Sequence, residues 1–145
     1  MKKKLCSSVC LWCLVAVILC ACGKQGNPIV LPDREDIVSI GVSDGEKSGY
    51  SPNTEGEADA FISEFLAILV DMETTNKESI TESPANKDYI TINIYCDDKT
   101  MTIYYYKEDD TEYVEQPYQG IYKPAPALGS CIKEMLDSGD KEQKQ

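Results

Sequence analysis

The 145-residue sequence contains no histidine, which removes the usual general base and the commonest metal ligand of enzymes. Other chemical signatures are missing as well. No glycine-rich phosphate-binding loop follows a predicted strand, and no Cys-x-x-Cys pair occurs after residue 22. Carboxylates are abundant, but nothing marks two of them as buried opposite each other. The sequence therefore predicts no catalytic residue, no metal site and no cofactor. It favours a protein that is not an enzyme, with a hydrolase as the lesser alternative.

Positive charge is also scarce. The chain has 14 Lys and Arg residues against 25 Asp and Glu residues, a net charge of −11. A field of this sign repels nucleic acid and anionic lipid surfaces, so we expect no nucleic-acid partner. Two interpretations of the acidity stay open. Either a charged partner is basic, or the negative charge only keeps the protein soluble.

The longest hydrophobic run lies at the N terminus, where residues 1–4 are cationic and residues 5–20 are mostly apolar, as in a secretory signal. The run ends in Leu19-Cys20-Ala21-Cys22, which resembles the lipobox of a bacterial lipoprotein. This resemblance implies cleavage before Cys22 and a diacylglyceryl group on its sulfur. Residues 1–21 are then a lipoprotein signal peptide, and the protein sits on the extracytoplasmic face of the cell membrane. The alternative is a retained transmembrane helix, since about 19 uncharged residues can just span a bilayer.

Cleavage would change the cysteine content and the charge. Of seven cysteines, four precede Cys22, and only Cys96 and Cys131 follow it. Outside the cell these two can form a disulfide, or they can remain free thiols that behave as small hydrophobic residues; both interpretations stay open. Residues 1–21 hold three lysines and no acidic residue, so 11 basic residues would face 25 acidic ones, a net charge of −14.

The first part of the mature chain predicts a strand and a helix. Residues 22–28 read as a tether, residues 29–137 as one domain and residues 138–145 as a flexible tail. Ile37 to Val42 alternates as a strand does, and the Gly-, Ser- and Asp-rich residues 43–53 predict a loop. Thr54 and Glu57 then form a capping-box pattern. The apolar stripe that follows predicts a helix from about Glu55 to Met72.

The second part predicts an antiparallel meander of strands Tyr89–Cys96, Thr100–Lys107 and Glu112–Gln116. Asp98-Lys99 and Asp109-Asp110 are the predicted turns. Pro117 is expected to end the pairing because it has no N–H to donate. A short helix is predicted over residues 127–137. The order is β-α-β-β-β-α, which indicates an α+β fold with an antiparallel sheet of three to four strands and the helices on one face.

One segment carries a resemblance to a known family. Tyr113-Val114-Glu115-Gln116-Pro117-Tyr118-Gln119-Gly120-Ile121-Tyr122, together with the strand Ile103-Tyr104-Tyr105-Tyr106, resembles a small domain family of unknown function found in lipoproteins of Firmicutes, clostridia especially. The resemblance covers about residues 29–136. It implies a Gram-positive surface lipoprotein and carries over no activity.

The candidate binding residues are tyrosines. In the predicted register Tyr95 faces Thr102 and Tyr106 faces Tyr113, and five tyrosines share the sheet face away from the helices. They either simply suit a wet sheet face or form a binding surface for an envelope protein or a glycan. The segment from Pro117 to Tyr122 is either a functional loop or a structural turn. Together the candidates are Tyr89, Tyr95, Tyr104, Tyr106, Tyr113, Tyr118 and Tyr122.

The acidic turns offer a further candidate site. Asp97-Asp98 and Glu108-Asp109-Asp110 could supply oxygen ligands to Ca²⁺, but they lack the interleaved spacing of an EF-hand loop. The alternative is ordinary solvated turns. Taken together, the sequence predicts a lipid-anchored binding domain whose ligand is unknown. The alternative is a structural or accessory subunit of a membrane complex, in which the tyrosine face is permanently covered.

Overall fold

The computed structural model describes residues 26–85 and 88–142, with the side chains of the last three of these left aside. The predicted signal peptide and Cys22 lie outside the described residues. Seven strands and two helices follow a 3-10 turn at Arg34–Asp36. They are β1 (Ile37–Ser43), β2 (Ser48–Tyr50), α1 (Glu55–Val70), β3 (Glu73–Thr74), β4 (Tyr89–Cys96), β5 (Thr100–Glu108), β6 (Thr111–Gln116), β7 (Gly120–Lys123) and α2 (Pro126–Glu142).

All seven strands join one antiparallel sheet in the order β2-β1-β4-β5-β6-β7-β3. The α+β class is confirmed, but the prediction of three to four strands was too low. The additional strands are short: β2 has three residues, β3 has two and β7 has four. Strands of this length show little alternation, so their pairing depends on neighbours that the local sequence does not reveal.

The predicted end of the meander at Pro117 was wrong. Pro117 lies in the turn between β6 and β7, where Gln116 pairs with Gly120, and the ladder continues to Ile121 and Tyr122. Proline interrupts pairing inside a strand, but a turn residue has no ladder hydrogen bond to lose.

The two helices pack on one face of the sheet, and the core lies between the helices and the sheet. Ile92, Ile94 and Ile103 of the central strands are fully buried there. The helices contribute a second set of buried side chains, namely Ile62, Phe65, Leu69, Leu128, Ile132 and Met135. The opposite face of the sheet, which no described helix covers, is called the outer face below.

Two details of the strands differ from the predicted register. A bulge between Ile37 and Ser39 interrupts the alternation predicted for residues 37–42: Ile37 lies in the core, and Val38 is 58% exposed. The β4–β5 turn is centred on Asp97-Asp98, so Tyr95 pairs with Thr100 rather than with Thr102. The shift is two residues, and each side chain therefore keeps its predicted face.

The helices begin at or next to the predicted residues, but the first ends earlier and the second ends later than predicted. Thr54 is the N-cap of α1, but its side chain makes no capping hydrogen bond, and the helix ends two residues before the predicted Met72. Helix α2 continues to Glu142, so residues 138–142 of the predicted tail are helical. Within the described part of the chain, neither helix has the length and apolar character needed to cross a bilayer.

Two glycines let α2 approach the edge strand β2 closely. A Cβ atom on Gly49 would lie 1.9 Å from the carbonyl oxygen of Met135, and one on Gly139 would lie 1.8 Å from that of Ser48. Real Cβ atoms do not approach backbone atoms this closely, so any side chain at either position would push the helix away. Glycine at both positions therefore seats α2 on the β1–β2 hairpin.

Candidate functional site

Four of the predicted tyrosines form a cluster on the outer face across β4, β5 and β6. Tyr89, Tyr106 and Tyr113 stand in one row, because Tyr106 pairs with both of the others. The Tyr89 and Tyr104 rings meet edge to face with centroids 4.9 Å apart, and the Tyr106 and Tyr113 centroids are 5.8 Å apart. Aromatic pairs at these separations stabilise a sheet. The predicted pairing of Tyr106 with Tyr113 is confirmed.

The segment of residues 75–85 crosses this cluster and covers part of it. The Lys77 ammonium lies 4.1 Å from the centroid of the Tyr113 ring and 3.1 Å from Glu108. The hydrogen bond to Glu108 is the main reason that the pKa of Lys77 is raised. Ser79 donates to Oε1 of buried Glu115 at 2.6 Å. The polar residues after α1 are thus pinned to the outer face.

Burial removes two tyrosines from the predicted binding set. Tyr106 is 7% exposed, and burial raises its pKa to about 12. Tyr122 is 1% exposed and belongs to the core, because β7 pairs with β6 and aligns Tyr122 with Val114 on the helix side. Its hydroxyl finds no hydrogen-bond partner among the described residues. Neither ring is available to a ligand in this fold.

Tyr118, in contrast, is 65% exposed at the tip of the β6–β7 turn. Its φ of +60° lies in the left-handed region, which residues other than glycine seldom adopt. The turn is closed by the Gln119 N–H, which donates to the Gln116 carbonyl at 3.0 Å, and the Tyr118 N–H donates to Oγ of Ser79 at 3.2 Å. The segment from Pro117 to Tyr122 is therefore a turn followed by a strand. Its Tyr118 faces solvent, and its Tyr122 lies in the core.

The structure adds a tyrosine that the sequence analysis missed. Tyr50 of β2 pairs with Gly41 and is 61% exposed on the outer face. A Cβ atom on Gly41 would lie 3.0 Å from the Tyr50 ring and 3.1 Å from the Tyr95 ring, so the absent side chain lets both rings lie over the Gly41 backbone. Beside them, Oγ1 of Thr102 donates to Oδ1 of Asn93 at 2.8 Å. These five residues are called the Tyr50–Tyr95 patch.

The β1–β2 hairpin that positions Tyr50 has a local signal. Oδ1 of Asp44 accepts from the N–H groups of Glu46 at 2.9 Å and Lys47 at 2.7 Å, and these hydrogen bonds lower the pKa of Asp44. Gly45 follows with φ +92°. Asp-Gly between two extended segments is a strong short-range hairpin pattern, and it could have identified β2.

Two cavities lie on either side of the residues that follow β2. One, of about 470 Å³, is bounded by Tyr50, Phe61 and the α2 residues Glu134 and Ser138. The other, of about 460 Å³, extends from Tyr50 toward Val38 and the first turn of α1. Both are open clefts with mixed polar and apolar walls. Tyr50 therefore borders both of these clefts as well as the outer face.

The acidic turns and the cysteines do not assemble into a site. Among the side chains that the structure describes, those of residues 26–85 and 88–139, no three of His, Cys, Asp or Glu converge as metal ligands would. Cys96 and Cys131 are free thiols, each half-buried, and burial raises the pKa of both. The charged side chains near the two thiols differ. Lys99 and Asp36 lie near Cys96, and Glu134 and Glu64 lie near Cys131.

The fold and its surfaces define a small α+β domain with a seven-stranded antiparallel sheet, helices on one face and an exposed tyrosine patch on the other. The chain belongs to the family DUF5301, described as "Domain of unknown function (DUF5300)", whose family model matches residues 25–123. The match spans α1 and all seven strands and ends before α2. It confirms the predicted membership in a domain family of unknown function.

A solved structure supports the fold. The chain is similar to a protein from Ruminococcus gnavus, a clostridial species, whose structure was determined by NMR. The two chains are 31% identical, the alignment covers 68% of this chain and 91% of the other, and the TM-score is 0.54. No curated protein matches the chain.

Proposed function

We propose that this protein is a lipoprotein anchored to the extracytoplasmic face of a Gram-positive-type cell membrane, where its domain binds a protein partner. The anchor is supported by the cationic residues 1–4, the apolar run after them and the small residue Ala21 directly before Cys22. Two acyl chains on one cysteine hold a protein firmly, whereas a single chain anchors it only weakly. The lipid would keep the domain at the membrane and leave its sheet accessible outside.

The proposed binding surface is the Tyr50–Tyr95 patch. The observation that supports it most is the exposed Tyr50 ring, held beside Tyr95 over the bare backbone of Gly41. Tyrosine offers a wide, rigid contact at low entropic cost and is enriched among residues that dominate interface energies. The neighbouring Asn93–Thr102 pair supplies polar groups of the kind that border protein interfaces. A flat sheet face of this composition suits a protein surface.

The charge of the domain favours a basic partner. With residues 1–21 removed, 11 basic residues remain against 25 acidic ones. Complementary charge accelerates association and excludes partners of the same sign. Glu134 of α2 lines one of the clefts that Tyr50 borders, so part of this negative charge lies at the edge of the sheet that carries Tyr50.

Surface cross-linking in cells tests the proposal. The wild-type protein is cross-linked, recovered and analysed by mass spectrometry next to the double variant Tyr50→Ser/Tyr95→Ser. The matched control is Val70→Ser, which removes a comparably exposed hydrophobic side chain at the end of α1, outside the patch. We expect one dominant protein adduct that is lost in the double variant and kept in the control, with all three proteins folded by thermal melting.

Two results would count against this assignment. An adduct that persists in the folded double variant would remove the patch from the binding site. If no protein adduct forms and the wild type instead adheres to isolated cell wall, the ligand is a glycan and not a protein. The remaining alternative is an accessory subunit of a membrane complex. A native gel after mild detergent extraction distinguishes it from a transient binder, because the subunit migrates with its partners and the binder migrates alone.

A further inference from the structure

We propose that the β6–β7 turn and the exposed apolar side chains around it form a surface that rests on the lipid bilayer. This inference depends on the proposed lipid at Cys22. The contact surface, here called the turn surface, consists of Tyr118 at the tip of the turn and of Val30 and Ile80 beside it. It commits the domain to one orientation, with the turn surface toward the membrane.

The segment that leads to the anchor is docked on this turn. Val30 and Gln116 exchange two hydrogen bonds: the Val30 N–H donates to Oε1 at 2.9 Å, and Nε2 donates to the Val30 carbonyl at 2.7 Å. Nε2 of Gln119 donates to the Pro28 carbonyl at 2.9 Å. Gly26 lies against the backbone of Thr75, where a Cβ atom would be 2.1 Å from the carbonyl oxygen. The predicted tether is thus part of the folded domain from residue 26 onward.

Chain length then limits how far the lipid can be from the turn. Three residues lie between Cys22 and Gly26, and the four Cα-to-Cα steps span at most about 14 Å when extended. A lipid on Cys22 would therefore enter the bilayer close to the β6–β7 turn. A domain held this closely presents the nearby surface to the membrane and keeps the distant surface away from it.

Exposed apolar side chains lie around this turn, next to a polar cleft that Asn27, Asn76 and Gln119 line. Among the described residues, six large hydrophobic side chains are exposed, and three of them are Val30 at 56%, Ile80 at 77% and Tyr118 at 65%. All three adjoin the same turn: Val30 binds Gln116, and Ile80 follows Ser79, which accepts from the Tyr118 N–H. Tyrosine is enriched at membrane–water interfaces, where its ring is buried and its hydroxyl stays wet.

Tethering makes a weak contact sufficient. An anchored domain faces the bilayer at an effective concentration that short linkers place in the millimolar range, so a contact with affinity in that range is sufficient. The acidic chain would be repelled by anionic lipids, so the apolar contact is tested on a zwitterionic surface, where this repulsion is absent. Tyr50 lies at the opposite end of the sheet, five strand spacings or roughly 24 Å from β7. Tyr50, at the far edge of the Tyr50–Tyr95 patch, would thus be held away from the bilayer.

Quenching of tryptophan fluorescence tests this orientation. The only tryptophan of the chain is Trp12, which lies within residues 1–21, so the processed protein would contain none. Tyr118→Trp and Tyr50→Trp each introduce one probe at an exposed tyrosine, and the second variant is the matched control. The full chain is expressed, processed in cells, purified and placed in phosphatidylcholine vesicles with or without brominated acyl chains.

We expect the brominated lipid to reduce emission from position 118 about twofold or more, because an aromatic ring at the interface reaches the acyl chains, and to leave position 50 unchanged. Adding Gln116→Ala, which removes both hydrogen bonds that hold Val30 at the turn, should weaken the quenching at position 118. Equal quenching at both positions, or none at position 118 in a protein whose lipid is confirmed by mass, would overturn the orientation alone. A Cys22 without lipid would overturn the orientation together with the proposed anchor.

Discussion

The side chain of Gln116 pairs with the backbone of Val30 as a neighbouring strand would, accepting from its N–H at 2.9 Å and donating to its carbonyl at 2.7 Å. These two residues are 86 positions apart, and their contact fixes the start of the domain to its last strand turn. Gln116 is 7% exposed, so neither group can exchange its partner for bulk water. The following predictions test this contact and the features around it.

Gln116→Ala should destabilise the domain by about 1–3 kcal/mol, because the backbone of Val30 loses both partners and a polar site at the turn is left unfilled. Chemical denaturation gives the free energy of unfolding, and hydrogen exchange should show faster exchange at the Val30 amide. Gln119→Ala removes a single bond at an exposed position and is the matched control. An equal loss in both variants would show that the Gln116 contact has no special role.

Alanine at Gly49 should destabilise the protein by about 1–3 kcal/mol or more, because the new Cβ would overlap the backbone of α2 and force the helix from β2. Gly56→Ala provides the control. Its Cβ would meet nothing within 4 Å, and alanine is a better helix former than glycine, so a gain of up to about 1 kcal/mol is expected. Thermal or urea unfolding of both variants measures the difference. A neutral Gly49→Ala variant would contradict the close packing of α2 on β2.

Stability should fall as the pH rises from about 10 to 12. Below pH 10 tyrosine is protonated in both the folded and unfolded chain. Burial raises the folded pKa of Tyr106 to about 12 and also raises that of Tyr105. Between these limits the unfolded chain releases protons that the folded chain retains, so unfolding becomes more favourable. Urea titrations at pH 9 and 11.5 measure the effect, and Tyr106→Phe should reduce the difference between them. If the difference in stability between pH 9 and 11.5 is the same in Tyr106→Phe as in the wild type, Tyr106 does not cause the pH dependence.

Cys96 and Cys131 should stay reduced and react slowly. Burial raises the pKa of both thiols, and only the thiolate attacks an alkylating reagent. We expect incomplete alkylation by iodoacetamide at neutral pH in the native protein and complete alkylation after unfolding. Intact mass after mild oxidation should show no loss of two hydrogens. Such a loss, with a peptide linking the two residues, would establish the disulfide instead.

The sequence predicted the elements whose residues repeat with a clear period. Alternation from Tyr89 to Gln116 identified three strands and the faces of their tyrosines, and the stripe after Thr54 identified α1 to within two residues at its end. The side-chain period of two kept those faces correct even where the β4–β5 register shifted.

The remaining parts depend on tertiary contacts. Tyr122 faces the core only because β7 pairs with β6, and Tyr50 reaches the outer face only because β2 pairs with Gly41. The unpatterned polar residues 75–85 gave no sign that Ser79 would hold them to Glu115. No local pattern encodes such pairings, and for that reason the predicted binding set contained two buried tyrosines and missed an exposed one.

The lipid anchor at Cys22 is the central claim, because the bilayer contact of Tyr118 and the outward direction of Tyr50 both depend on it. Mass spectrometry of the N-terminal peptide of protein extracted from membranes tests it most directly. The account predicts a peptide that begins at Cys22 and carries a diacylglyceryl group, and it predicts that Cys22→Ala leaves the protein uncleaved or released. A peptide that includes residues before Cys22, or an unmodified cysteine in a protein that still matures and stays on the membrane, would contradict it.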